Sequence, residues 1–293
     1  MTHDKTLGSR LFDVVNIGML LLVSLVTLVP FLYIIAGSLA SPEEVLRKTF
    51  ILFPDRFDWT AYRYIFSTDT LVKSLWVSVW ITVVGTAVNL FMTSIMAYPL
   101  ARRDLAGRRP IMLLATFTMI FSGGMIPTFL VVKSLGLIDS YWSLMIPGAI
   151  SAFYLIILKN FFQQLPDGLE ESAKIDGCND FQIFYKIVVP LSKPALATLT
   201  LFYAVAHWNS YFSAILYINS YEKWPVQVLL RQIVILSQGG IGDSAMFTEQ
   251  FVVPPAVTIK MAVIVVTMIP MLIIYPFIQS YFTKGIFLGS VKG

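Results

Sequence analysis

Several residue types that define enzyme and metal sites are scarce in this sequence of 293 residues. Its single cysteine, Cys178, excludes an intrachain disulfide and a cysteine-rich metal site. His3 and His207 are the only histidines, and neither belongs to a His-x-x-x-His pair or a recognisable Ser/His/Asp cluster. The ATP-binding pattern Gly-x-x-x-x-Gly-Lys-Ser/Thr does not occur. We therefore predict no catalytic residue, no metal site and no cofactor bound by the chain itself.

Charged residues are also scarce, at 13% of the chain, whereas 57% of the residues are hydrophobic. Soluble domains contain about 25% charged residues, so the polar residues here are too few to cover a water-exposed surface. Six apolar stretches approach the length of about 20 residues that a membrane-spanning helix needs. They are Val14–Leu39, Leu75–Leu100, Ile111–Val132, Tyr141–Leu158, Ala195–Tyr217 and Met261–Phe282. The sequence thus predicts an all-α membrane protein with six transmembrane helices in one domain, residues 1–293.

The six stretches contain no Asp, Glu, Lys or Arg. Carriers driven by ion gradients usually place carboxylates within the membrane, so an ion-coupled secondary carrier is the less favoured alternative. Gly123, Gly124 and Pro127 predict a break in the third span. Prolines predict milder kinks in the first, fourth and sixth spans, at Pro30, Pro147 and Pro270.

The charges of the loops predict the orientation of the spans. Loop 101–110 carries four arginines and loop 159–194 carries four lysines, whereas loop 133–140 carries one lysine. Loop 40–74, with five basic residues, runs against the pattern. We expect both termini and loop 159–194 on the cytoplasmic side and loop 218–260 outside. The net charge of +4 reflects this asymmetry rather than nucleic-acid binding, since no run of five basic residues occurs.

The first span is longer than the apolar core of about 7–15 residues found in a cleaved signal peptide. We therefore predict that it is retained. Small residues at 36–40 keep cleavage open as an alternative.

Loop 159–194 carries the most specific pattern in the sequence, with acids after Pro166 and two prolines before the fifth span. Asp167 is predicted to cap a helix in which Glu170 holds the third position. Gly177 then permits a turn, and Pro190 precedes the next span. The pattern predicts two short helices along the inner membrane face. Their exposed acidic and small residues suit docking into a groove on a partner.

The segment Glu171-Ser-Ala-Lys-Ile-Asp-Gly, followed by Ile187-Val-Val-Pro, resembles the EAA loop of binding-protein-dependent ABC importers. Ser and Val replace the family's usual Ala and Leu at two positions. The resemblance implies that loop 159–194, here called the coupling loop, docks on an ATPase dimer that binds ATP and Mg. The coupling positions that it implies are Glu171, Ala173, Asp176, Gly177 and Pro190.

The resemblance also implies a second, non-identical permease subunit, an extracytoplasmic solute-binding protein and a place in the bacterial inner membrane, in contact with lipid. Tyr221–Pro255 would contact the binding protein, and 227–236 is predicted to be an amphipathic helix.

Further segments resemble the maltose-permease-like family and its subgroup for complex oligosaccharides and polysaccharides, which includes the alginate importer. They are Ala97-Tyr-Pro-Leu-Ala-Arg-Arg, Phe121-Ser-Gly-Gly-Met-Ile-Pro, Gly136-Leu-Ile-Asp-Ser, Ala204-Val-Ala-His-Trp-Asn and Pro225-Val-Gln-Val-Leu. The resemblance implies sugar import by alternating access.

A sugar path needs hydrogen-bonding and aromatic groups within the spans. His207, Trp208 and Asn209 form the densest such group, and Asn89 and Tyr203 are weaker candidates. Helix–helix packing remains the alternative role for all of them, because polar side chains commonly hydrogen-bond between membrane helices.

Overall fold

The computed structural model describes residues 7–237 and 256–290, and its long elements are all helices. The longest are α1 (Leu7–Ser38), α4 (Asp69–Ala101) and α14 (Ala256–Ser290). Each contains a segment long and apolar enough to cross a membrane. Two further helix pairs qualify only if each bent pair counts as one span, which gives up to five spans among the described residues. The predicted all-α class is confirmed.

The third predicted span is broken, as its glycines indicate. It consists of α5 (Arg108–Ile120) and α6 (Met125–Ser134), which meet at a bend of 119°. Gly124 has a φ of +85°, a conformation that other residues rarely adopt.

The fourth predicted span, Tyr141–Leu158, is wrong as a continuous helix. A 3-10 turn covers Tyr141–Leu144, and helix α7 runs only from Ala152 to Phe162. Pro147 cannot donate a helical hydrogen bond, and the Asn89 side chain of α4 donates to the two carbonyls that follow it, those of Gly148 and Ala149. Non-helical backbone at membrane depth is tolerated where protein covers it in this way. Pro30 and Pro270, by contrast, lie within the unbroken helices α1 and α14.

The remaining helices are short. They are α2 (Pro42–Arg47), α3 (Thr60–Ser67), α8 (Asp167–Ile175), α9 (Asp180–Ile183), α10 (Val189–Leu191), α11 (Lys193–Trp208), α12 (Phe212–Tyr217) and α13 (Val226–Ser237). A 3-10 turn covers Tyr221–Lys223. Helix α13 confirms the helix predicted at 227–236. Residues 238–255 of the predicted outer loop lie outside the described residues.

The chain divides into two compact units, each with its own packing. The first comprises the described residues up to Thr68 and those of Leu230–Met268. Within it, Lys48 bridges the carboxylates of Glu44 and Asp55 at 2.8 and 2.7 Å. The second comprises Asp69–Leu229 and the described residues from Ile269 onwards. The single domain of residues 1–293 stays a prediction.

The core of the second unit forms where α4, α7 and α11 pack together. Its buried side chains include Ala97, Leu155, Leu158, Leu199 and Tyr203. Helix α4 contributes an unusual share of polar groups to its buried face. They are Ser74, Ser78, Thr82, Thr86, Asn89, Thr93 and Ser94. This polar face and the adjacent coupling loop position the candidate site.

Candidate functional site: the coupling loop and the polar seam of α4

The coupling loop folds as two short helices joined at a glycine. Helix α8 begins at Asp167 with Pro166 in the capping position, so the predicted cap by Asp167 is wrong. It ends in a Schellman motif, in which Cys178 N–H donates to the Ala173 carbonyl and Gly177 N–H to that of Lys174. Gly177 has a φ of +78°, which explains the need for glycine there. Asn179 then caps α9, and Gln182 completes the capping box.

The coupling residues fall into two groups by exposure. Ala173 is only 5% exposed and packs into the core of its own chain, where its small side chain lets α8 lie close. Glu171, Asp176 and Gly177 are exposed. Between them stands Ile175, a large apolar side chain that is 86% exposed. Sequence reasoning overlooked Ile175, although an isoleucine between Lys174 and Asp176 on a polar loop is a usable signal.

An ionic cluster ties the coupling loop to the end of α4. Arg102 donates from Nη1 to Oδ1 of Asp180 at 2.7 Å and also contacts the Asp104 carboxylate at 3.3 Å. The hydrogen bond to Asp180 raises the pKa of Arg102, and Arg102 in turn lowers the pKa of Asp104. Gln163 donates to the Ala101 carbonyl at 3.0 Å and adds a neutral link. Sequence reasoning missed this cluster, because Arg102 and Asp180 lie 78 residues apart.

Pro190 shapes the junction between the coupling loop and α11. The proline lacks the N–H that would bond the Lys186 carbonyl, and the preceding residues Phe184–Val188 widen into a π-helix. The segment Asp180–Leu191 then meets α11 at an angle of 80°. The prediction that prolines set the start of the fifth span is confirmed.

Asn89 is the centre of a polar seam between α4 and α11. Its Nδ2 donates to the Gly148 and Ala149 carbonyls at 2.6 and 3.0 Å, which holds the break before α7. Its Oδ1 therefore accepts from Nε2 of His207. All hydrogen-bonding atoms of Asn89 are engaged, and the side chain is 1% exposed.

Gly85 allows the close approach that this seam requires. A Cβ atom there would lie 2.6 Å from Nε2 of His207. One turn or more further along, the hydroxyls of Thr93 and Tyr203 bond at 2.8 Å, and Tyr203 accepts from Ser151 N–H. Gly85 precedes Asn89 by four residues in a predicted span, and this spacing is the sequence signal from which the close contact could have been predicted.

The other predicted path residues lie at the end of α11. Trp208 is buried, whereas Asn209, the residue that ends the helix, is exposed. The structure thus joins Asn89 to His207 by a hydrogen bond, and among the described residues the Asn209 side chain bonds neither of them. Their contact with a sugar stays a prediction.

The opposite end of α4 carries a second tied loop, centred on Asp139. The Asp139 carboxylate accepts from the backbone N–H of Asn219 and Ser220 and pairs with Nζ of Lys223 at 2.7 Å. Lys223, followed by Ser220, lowers the pKa of Asp139. The Ser78 hydroxyl accepts from Val226 N–H at 2.8 Å and so fixes the start of α13 to α4.

Comparison with known proteins agrees with this arrangement. Residues 89–288 match the family described as "Binding-protein-dependent transport system inner membrane component". The chain is 63% identical over 97% of its length to the polygalacturonan/rhamnogalacturonan transport system permease protein YtcP of Bacillus subtilis (strain 168), of which it covers 99%. It is 55% identical over its full length to Protein LplC of the same organism, of which it covers 98%.

A solved structure shares the fold. It is a chain of a bacterial ABC transporter involved in the import of the acidic polysaccharide alginate, with a TM-score of 0.87 and 34% identity, covering 96% of this chain and 100% of that chain. The relatives and the solved structure cover almost the whole length of the sequence, and the family match covers residues 89–288. The chain therefore belongs to the family of binding-protein-dependent transport system inner membrane components.

Proposed function

We propose that this chain is the transmembrane subunit of an ATP-driven importer for fragments of acidic polysaccharides. Membership of the family implies an ATPase, which binds the nucleotide, and a solute-binding protein as partners. The observation that carries the proposal is the coupling loop, which contacts its own chain through Ala173 and Asp180. It nevertheless exposes Glu171, Ile175 and Asp176.

The substrate class rests on the relatives. One is named for polygalacturonan and rhamnogalacturonan, and the similar structure is described with alginate. These polymers contain uronate units, so a shared substrate property is a sugar that carries a carboxylate. The predicted spans of this chain contain no Lys or Arg, and neutral donors would have to bind the carboxylate within the membrane. Asn209 is the exposed polar candidate for such a contact.

The docking role of the coupling loop rests on the division of its residues. Ala173 and the Arg102–Asp180 pair hold the loop against its own chain. Glu171, Asp176 and Ile175 remain for the ATPase, with Ile175 as an apolar anchor. Exposed large apolar side chains on a polar surface commonly mark interaction sites. Gly177 and Pro190 act by shaping the loop.

The mechanism we infer is alternating access. ATP and Mg bind in the partner ATPase dimer, whose closure moves the coupling loop. Arg102 passes this movement to α4, and the 80° junction passes it to α11. Because Asn89 and His207 join α4 to α11, the two helices move together and change the side to which the path opens. Hydrolysis resets the inward-facing state.

Several finer features belong to the same proposal. A second, non-identical permease subunit completes the path, both termini lie in the cytoplasm, and the outer segment Tyr221–Pro255 meets the solute-binding protein. An ion-coupled carrier receives no support, since the predicted spans lack carboxylates and the family depends on a binding protein.

Transport by the complete complex tests the proposal. The chain would be reconstituted in proteoliposomes with its second permease and ATPase, and uptake of labelled oligogalacturonates and neutral malto-oligosaccharides would be measured with loaded binding protein. We expect saturable uptake of the oligogalacturonates that requires hydrolysable ATP. Uptake driven by a proton or sodium gradient without ATP would contradict the transport class, and uptake of neutral sugars alone would contradict the substrate class.

A further inference from the structure

A basic hollow lies beside the start of α5, within the second unit, and its lining does not include Glu171, Ile175 or Asp176. Its volume is about 630 Å³. Four cationic side chains line it, from Arg103, Arg108, Arg109 and Lys159. None of its lining residues in the described part of the chain is acidic.

The cationic side chains of this hollow lack the acidic partners that the neighbouring Arg102 has. Arg102 is matched by Asp104 and Asp180. In contrast, Arg103, Arg108 and Arg109 have no side-chain hydrogen bond or ion pair within residues 7–237 and 256–290, and Lys159 bonds only the neutral Asn160 there, at 2.8 Å. Like charges held close together repel, so the arrangement favours an anion between them.

The backbone brings these cations to one place. Gly107 has a φ of +81°, which turns the chain so that Arg103 before it and Arg108 after it line the same hollow. The cluster is thus built by the fold as well as by loop composition.

The rest of the lining is mostly apolar, and most of it belongs to α5. Met112 and Leu113 contribute to it, and Leu113 is 63% exposed. The next turns continue this exposed apolar surface with Leu114 and Phe117. A hollow with cations at one end and an exposed apolar wall at the other matches a molecule that has an anionic head and hydrocarbon chains.

We propose that this hollow binds one anionic phospholipid of the cytoplasmic leaflet. The lipid phosphate lies among Arg103, Arg108 and Arg109, with Lys159 at its edge, and an acyl chain follows Leu113 along α5. The cytoplasmic leaflet carries the anionic lipids, and basic pockets beside membrane helices bind such headgroups. The apolar wall favours a lipid over a free phosphate ion. It also favours a lipid over the ATPase, because the wall continues along a predicted span that a water-soluble subunit does not cover.

Lipid retention by the intact complex tests the proposal. The full chain, purified with its partner subunits, would be exchanged into nanodiscs of phosphatidylcholine with increasing phosphatidylglycerol. Bound phosphatidylglycerol would be counted by mass spectrometry after detergent washing. We expect the double variant Arg108→Gln/Arg109→Gln to weaken lipid retention about 30-fold. Each basic residue near the surface strengthens binding of an anionic lipid about fivefold or slightly more, and the two factors multiply.

Three matched variants make the result specific. Arg56→Gln with Arg63→Gln removes the same charge from exposed arginines of the first unit and is expected to leave retention unchanged. Arg108→Lys with Arg109→Lys keeps the charge and is expected to retain most of the lipid, which also excludes misfolding as the cause. Leu113→Asn keeps the arginines and adds no charge, so it is expected to weaken retention of the lipid without affecting inorganic phosphate.

The remaining outcomes would overturn the proposal. Equal retention by the Arg108→Gln/Arg109→Gln and Arg56→Gln/Arg63→Gln variants would show that the hollow is not a lipid site. Displacement of the lipid by millimolar inorganic phosphate would assign the hollow to free anions. Retention that begins only after the ATPase subunits are removed would assign it to the ATPase interface.

Discussion

The coupling loop and the turn at Asp139 lie beside opposite ends of α4, and both are polar, yet they use their side chains differently. Asp139 is satisfied within its own chain, by two backbone N–H groups, a hydroxyl and Lys223. Glu171 and Asp176 make no side-chain hydrogen bond or ion pair with the described residues, and Ile175 stands exposed beside them.

This difference distinguishes carboxylates that stabilise the fold of their own chain from carboxylates that can bind another subunit. A carboxylate whose partners all come from the same chain fixes the shape of that chain. A carboxylate without them, beside an exposed apolar side chain, is available to another subunit. Within the coupling loop, the held face contains Ala173 and Asp180, and the free face contains Glu171 and Ile175. The contrast therefore predicts which of the coupling residues contact the ATPase.

Charge reversal on the free face should have the largest effect. Glu171→Lys is expected to weaken association with the ATPase about 100-fold, because removal or reversal of a buried charge at an interface is strongly unfavourable. Co-purification from membranes and hydrolysis stimulated by loaded binding protein measure the loss. Glu43→Lys, which reverses an exposed charge on α2, is the matched control. Retained complex and retained coupled hydrolysis in Glu171→Lys would count against docking by this face.

Loss of the seam between α4 and α11 should have an intermediate effect on stability. Asn89→Ala leaves the Gly148 and Ala149 carbonyls and His207 without their partner, and we expect the free energy of unfolding to fall by about 1–3 kcal/mol. Thermal unfolding of the purified complex measures this loss. Asn209→Ala changes an exposed asparagine and should stay within about 0.5 kcal/mol. Equal thermal stability of the two variants would show that Asn89 does not stabilise the packing of α4 against α11.

The smallest effect should be local, at the Asp139 turn. Asp139→Asn keeps the shape but removes the charge that pairs with Lys223, so we expect amide exchange at Asn219 and Ser220 to accelerate about tenfold relative to the unaltered chain. Association with the ATPase should not change. A lost ATPase association, with unchanged amide exchange, would reverse the assignment of the two regions.

The pH dependence of this effect follows from the lowered pKa of Asp139. A carboxylate with a lowered pKa stabilises the folded state above its ordinary pKa of about 3.9 and loses this effect only as the pH falls through the lowered value. The ratio of exchange rates between variant and unaltered chain should therefore stay constant from about pH 8 to pH 5. A ratio that falls toward one near pH 5 would contradict the stabilisation of this turn by the Asp139 carboxylate.

The features that sequence predicted correctly depend on neighbouring residues. Gly177 and Pro190 direct the backbone within a few residues of themselves, and the turn and the bend occur where their positions indicate. The break at Gly124 is of the same kind.

The features that sequence did not predict depend on distant partners or on the face of a helix. The fourth span breaks where Asn89, 59 residues from Gly148, bonds the freed backbone. Ala173 and Ile175 are both apolar residues of α8, and only the fold decides that the first is buried and the second exposed. Arg102 gave no sign of its pairing with Asp180 for the same reason.

Site-specific cross-linking tests the central claim most directly, that the free face of the coupling loop meets the ATPase. Cys178 is the only cysteine, so Cys178→Ser gives a background into which Ile175→Cys can be placed. A short cysteine cross-linker in the intact complex should then join Ile175→Cys to the ATPase subunit. Phe53→Cys, at an equally exposed position of 86%, should give no such product. An ATPase adduct absent from Ile175→Cys, or formed equally by Phe53→Cys, would contradict the account.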